Sequence, residues 1–235
     1  MTDDPGAAAG PDFTYSNLST RPPARFITLA RRVLPGVAKV ENEIAPYAAA
    51  WHQRNIAALG ATGPLWAVLG DSISQGIGAS SVDRGWVPQA WSLLHEAGIT
   101  YRVVNLSVSG ARVADLIDQQ IPAMSALADA PDLVTVFTGS NDVIRKANRQ
   151  ALPQRFSQLL ALLPRGTMIA TVPAPRGVLA QVNALLDQAA PARGLIDVPV
   201  RIPPNARAED HFHPGDAGHA AIARAFAAAV RDRHA

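Results

Sequence analysis

The sequence predicts an α/β fold, a parallel five-stranded sheet with helices on both faces. Two observations lead there. Five short apolar runs, often β-branched, recur from Leu65 onward, and helical stretches lie between or after them, the order expected of a parallel sheet covered on both sides. The 235 residues, 48% apolar and 17% charged, fit one globular domain with a sizeable core.

Residues 1–23 are rich in Gly, Ala, Pro, Ser and Thr and are expected to lack regular structure. From Ala24 to Leu34 the apolar set Phe26, Ile27, Ala30, Val33 and Leu34 recurs at helical spacing. A second helical stretch runs from about Val37 to Leu59, with Pro46 as a point of bending. This N-terminal helical extension, residues 1–60, is expected to lay its apolar face on the main domain, residues 61–235. A membrane surface, a cover over an active site or a homodimer face are its other uses.

The strands are expected at Leu65–Leu69, Tyr101–Leu106, Leu133–Phe137, Thr167–Val172 and Leu195–Val198. The helices are expected at Trp86–Glu96, Val113–Leu127, Asp142–Leu163, Gly177–Ala189 and Asp216–Arg231. Ser72, Gly110 and Asn141 each fall just after a strand. Ligands of open parallel sheets bind beyond that edge.

Composition excludes several classes of function. The 21 basic and 19 acidic residues leave a net charge of +2, with no dense basic run, so nucleic-acid binding is not expected. Lys39 and Lys146 are the only lysines. There is no cysteine, hence no disulfide, thiolate metal site or thiol nucleophile. The start, Met1-Thr2-Asp3-Asp4-Pro5, lacks the layout of a signal peptide, and no apolar stretch is long enough to span a bilayer. A soluble cytoplasmic protein is expected.

Four segments carry the polar residues that ester chemistry needs: Gly70–Gly76, Asn105–Gly110, Gly139–Asp142 and Asp210–Pro214. Ser72 presents a hydroxyl at the sheet edge and needs a base to become a nucleophile; otherwise it caps a turn. Gly76 and Gly78 invite a phosphate-loop reading, but no Gly-Lys-Ser/Thr follows. Gly110 allows a backbone N–H to face a ligand, or simply makes a strand-to-helix turn. Asn141 offers an amide to an oxyanion, or caps the following helix. His213 is the candidate base, with Asp210 three residues earlier to fix its tautomer. His211, His213 and His219 invite a metal reading, but no carboxylate-rich motif accompanies them, so no metal is expected. His219 reads as packing or surface, and His52 and His95 as structural or surface residues.

In this order, the four segments resemble the four sequence blocks of the SGNH hydrolases, also called GDSL esterases and lipases. The resemblance implies a flavodoxin-like three-layer α/β/α sandwich. It implies Ser72 as nucleophile, an oxyanion hole from the Ser72 and Gly110 N–H groups and the Asn141 side chain, His213 as base and Asp210 as its partner. No cofactor is implied. The blocks leave residues 1–60 uncovered.

Hydrolysis of short or medium acyl esters is the function expected first. The alternative is an O-acyltransferase moving an acyl group from acyl-CoA to a sugar-like hydroxyl. The Arg- and Ala-rich, Lys-poor composition looks like that of a high-GC actinobacterial protein, and among intracellular members of the family there the chain resembles the mycobacterial octanoyltransferase acting on glucosylglycerate. A non-catalytic binding module is the third reading, disfavoured by the intact Ser72, Asn141, Asp210 and His213. Ile73, Ile77, Val143, Ile144, Val178 and Phe212 are candidates for an acyl pocket, and Arg145 and Lys146 for an anionic donor or acceptor. Core packing or a solvated charge is the competing explanation for each.

Overall fold

The computed structural model describes residues 13–21, 34–172 and 176–234. The helix expected from Ala24 lies outside the described residues apart from Leu34.

Five parallel strands form one sheet: β1 (Leu65–Gly70), β2 (Arg102–Asn105), β3 (Leu133–Phe137), β4 (Met168–Ala170) and β5 (Ile196–Val198). Their order is β2-β1-β3-β4-β5, the flavodoxin-like arrangement, whose ligand crevice lies at the carboxyl ends of β1 and β3. Every residue of β1 is buried. Because side chains alternate across a strand, Leu65, Ala67 and Leu69 enter one core, and Trp66 and Val68 the other.

The first core is closed by three helical segments. One is α4, built from Val113–Asp115, a π-helical turn at Leu116–Gln120 and Ile121–Ser125. The others are α5 (Lys146–Leu162) and α6 (Val178–Arg193). The second core is closed by α3 (Trp86–Glu96) and α7 (Asp216–His234), which pack Trp86 on Phe226 at 4.4 Å between ring centroids. Trp66 lies beneath them and donates its indole N–H to the Thr135 hydroxyl at 2.8 Å.

Two expected helices differ from the structure. Asp142 does not start a helix: Gly139, at φ 109°, turns into a 3-10 segment, Ser140–Val143, and α5 begins only at Lys146. The Val113–Leu127 run is helical but carries the π turn. Pro122 has no N–H to continue the i→i−4 ladder, and the widened turn ends on Gln120. That side chain bonds the Gly70 N–H and C=O, both at 2.8 Å.

Helix α1 (Pro35–Leu59) runs through Pro46 without interruption. Its own Trp51 and Asn55 are buried. Residues 13–21 have no helix or strand, as expected, yet they are well anchored. Phe13 and Tyr15 pack on the first core, and the Tyr15 hydroxyl donates to Leu106 O at 2.6 Å. The buried Asn17 donates to Asn105 O (2.8 Å) and Ser107 O (2.9 Å) and accepts from Asn55 (3.2 Å). Among the described residues, no helix is long and apolar enough to cross a membrane.

Asn17→Ala removes the shared donor and leaves buried acceptors with fewer partners, a cost of about 1–3 kcal/mol. Urea unfolding should show the midpoint falling with the slope unchanged.

Candidate active site

Gly70 ends β1 at φ 153°, a conformation that disfavours any side chain. A Cβ there would lie 2.5 Å from both Phe137 O and Ser74 Oγ, so the chain turns sharply against the end of β3. Asp71 then caps the short helix α2 (Ser72–Gln75), accepting the Ile73 N–H at 3.0 Å. Ser72 is the first residue of that helix. No group among the described residues accepts its N–H or that of Gly110.

The Ser72 hydroxyl lies 2.9 Å from His213 Nε2. On the far side of the ring, His213 Nδ1 lies 2.5 Å from Asp210 Oδ2. Asp210 divides its oxygens, because Oδ1 accepts the Phe212 and His213 N–H groups, both at 3.0 Å. This turn forces His211 to φ 57°, the sole positive φ outside glycine among the described residues. Burial acts to raise the Asp210 carboxyl. The bond and charge of His213, with the two backbone N–H groups, outweigh it and hold the carboxyl below its usual range.

The other two segments join through Asp71. Its Oδ2 accepts from the Ser140 hydroxyl at 3.2 Å and the Asn141 amide at 3.3 Å. The same Asn141 amide donates to Ala111 O at 3.0 Å, beside Gly110. Gly110 takes φ 77°, and a Cβ there would meet nothing within 4 Å. Asp71 is fully buried. Burial pushes its carboxyl up to about 6, against the bonds from Ile73 and Ser140 and the nearby His213, which favour the charged form.

A buried polar network lies beneath these turns, and sequence reasoning assigned it no role. Asn55 pairs with the backbone of Asn105, donating to its O and accepting its N–H, both at 2.8 Å. Asn105 in turn donates to Ser74 O (2.8 Å) and accepts the Ser107 N–H (2.9 Å). Gln75 donates to Asn17 O (2.6 Å) and Ser107 O (3.1 Å), while its carbonyl accepts the Ser109 N–H (3.0 Å) and hydroxyl. The sequence signal was Asn55 inside an otherwise apolar helix face.

The expected pocket residues fare differently. Phe212, 48% exposed, sets its ring edge-on to His213 at 5.0 Å. Ile144 is 37% exposed, and Arg145 and Lys146 are exposed at the start of α5. Val143 and Val178 are partly buried against the first core, and Ile73 joins the second. Ile77, two residues past the end of α2, is fully buried and offers no surface to a ligand.

Parallel strands in this order, with a serine, histidine and aspartate in line at their carboxyl edge, define the SGNH hydrolase class. The chain belongs to the GDSL-like lipase/acylhydrolase family, whose sequence model matches residues 68–221. It is similar to esterase TesA of Pseudomonas aeruginosa, 36% identical over 92 residues, covering 39% of this chain and 44% of that relative. Among solved structures it resembles TesA at 25% identity (TM-score 0.57, 72% of this chain and 98% of that one). It also resembles a variant of an acetyl xylan esterase from Geobacillus stearothermophilus at 24% identity (TM-score 0.57, 72% and 95%). A family 3 carbohydrate esterase from Clostridium thermocellum shares the fold at 15% identity (TM-score 0.57, 72% and 96%).

His219 packs behind the site, fully buried. It accepts the Trp86 N–H at Nδ1 (3.3 Å) and reaches Ile77 O from Nε2 (3.1 Å), which fixes a neutral tautomer. Burial lowers its pKa from 6.5 to about 4. The unfolded chain therefore binds a proton as pH falls through 6.5, and the folded chain does not until about 4. Stability is lost across that window at about 1.4 kcal/mol per pH unit, roughly 3 kcal/mol in all. In urea titrations at pH 7 and pH 4.5, His219→Gln should lose less stability between the two pH values than the parent.

Proposed function

We propose that this protein hydrolyses carboxylic esters of short or medium acyl groups through an acyl-enzyme on Ser72. The observation that supports this most directly is the relay of Ser72 Oγ, His213 and Asp210, at 2.9 and 2.5 Å. With Nδ1–H held by Asp210, Nε2 carries the free lone pair and takes the Ser72 proton as Oγ attacks the ester carbonyl. The oxyanion faces the N–H groups of Ser72 and Gly110 and the Asn141 amide. Collapse breaks the acyl C–O bond, and the imidazolium returns its proton to the departing alkoxide. Water, deprotonated by the same nitrogen, then releases the acid and restores Ser72.

Two features shape that cycle. Asn141 spends its amide hydrogens on Asp71 and Ala111, so it serves an oxyanion by sharing or releasing the longer, 3.3 Å bond to Asp71. Exposed Phe212 precedes His213 and exposed Ile144 lies three residues after Asn141, and both offer apolar contact to an acyl chain. Transfer from acyl-CoA to a sugar hydroxyl would use the same acyl-enzyme, with the acceptor replacing water.

With a p-nitrophenyl ester, Ser72→Ala should lower kcat by at least about 10⁴-fold, given the cost of deleting such nucleophiles elsewhere. Asn141→Ala should lower it ~100- to 1,000-fold with little change in KM. Full activity in Ser72→Ala would overturn the reading. Mass measurement of the acyl-enzyme, followed by product analysis with and without sugar acceptors, distinguishes hydrolysis from transfer.

A further inference from the structure

The match to the family's sequence model begins at Val68, so helix α1 lies outside the matched region. Yet α1 touches the turn that carries His213 at two places. Gly36 fits so closely against Glu209 that a Cβ would lie 2.3 Å from Glu209 O, and Lys39 Nζ meets Glu209 Oε1 at 2.5 Å. Glu209 is the neighbour of Asp210. One turn of helix further on, the half-buried Glu43 accepts the Gly78 N–H at 2.8 Å.

Gly78 is where the α2 side of the site meets the base. It takes φ 94°, and a Cβ on it would lie 2.4 Å from Pro214 O, 2.8 Å from His213 Cβ and 3.0 Å from Ala208 Cβ. Its backbone is thus packed directly against the His213 turn. Two residues before it, Gly76 closes α2, and the Ile77 N–H bonds Ser72 O at 3.0 Å. A carboxylate that fixes the Gly78 peptide therefore bears on the spacing between Ser72 and His213.

We propose that Glu43 is a positioning residue of the candidate site, holding Gly78 against the His213 turn and favouring, by its negative charge, the imidazolium that forms there. The proposal rests on the acyl-enzyme reading above. Burial raises the Glu43 carboxyl and the Gly78 bond lowers it; His213 also favours its charged form, while Asp210 opposes it. The attraction between the Glu43 carboxylate and a positive charge on the His213 ring is mutual. The other groups facing His213 are Asp210 on its own turn, Asp71 at the end of β1 and His219 on α7. Lys39 faces Glu43 from its own helix. A cavity of about 240 Å³, lined in part by Glu43, Gly78, Arg207 and Asp216, adjoins the carboxylate, so water screens part of its field.

The test compares full-length parent, Glu43→Gln, Glu43→Ala and Ser72→Ala in p-nitrophenyl ester turnover across pH 5 to 9. Glu43→Gln keeps an acceptor for Gly78 and removes the charge. Its acid limb of kcat/KM should move to lower pH, with KM unchanged. Glu43→Ala should show the same shift and an additional loss of about tenfold in kcat from the freed turn. Partial recovery of kcat in the Gln variant relative to Ala supports the positioning role. Should Glu43→Ala fail to fold by thermal unfolding, the Gln profile alone decides. Parent turnover that Ser72→Ala abolishes, together with a Glu43→Gln profile superposing on the parent, overturns this proposal while leaving the acyl-enzyme reading intact. A parent with no turnover, or an active Ser72→Ala, overturns that reading and this proposal with it.

Discussion

The structure depends on a buried knot of amides under the sheet's carboxyl edge. Asn17, Asn55, Gln75 and Asn105 are each at most 1% exposed, and each bonds backbone from a different part of the chain. A buried amide left unpaired is costly, and more so in a low-dielectric interior. Satisfying all four at once requires residues 13–21, α1, α2 and the loop after β2 to be in register together. The chain therefore cannot place the Ser72 turn independently of Gly110, since Gln75 follows one and binds Ser109 beside the other. Hydrophobic burial makes the sheet; this network fixes the loops above it.

Strain is applied where the loops leave the strands. Gly70 and Gly139 both take backbone conformations that side chains rarely adopt. The first turns Asp71 inward and Ser72 to the edge; the second puts Asn141 over Ala111 and sends the Asp142 carboxylate to the Val113 N–H at 3.1 Å. Asp71, pressed into the protein and shared by Ser140 and Asn141, is the joint between these turns. Its raised carboxyl is the result of that burial.

The sheet was legible in the sequence because fully buried parallel strands appear as bare apolar runs, and each of the five runs holds a strand. The helix boundaries were less so. The start of α5 at Lys146 is set by the Gly139 turn and by where the Asp142 carboxylate finds its donor. The π turn in α4 answers to Pro122 and to Gln120 reaching Gly70. Asp210 and His213 could be paired from spacing, since three residues suffice for the turn. Ser72 and His213 are 141 positions apart, a meeting that local pattern does not encode; only the joint order of four segments suggested it. The amide knot was invisible for the same reason. Asn17 and Asn105 are 88 positions apart, and a single Asn in an apolar helix face does not name its partner.

Asn55 also changes what the family boundary means. β2 is an outer strand of the sheet, and Asn55 binds both the N–H and the C=O of Asn105 as a neighbouring strand would. The extension thus serves as a stopper on an otherwise open row of backbone groups. A chain lacking α1 and the residues before it would present that row to solvent, where another copy's strand could add to it. Its failure would then be association between molecules as much as loss of the fold.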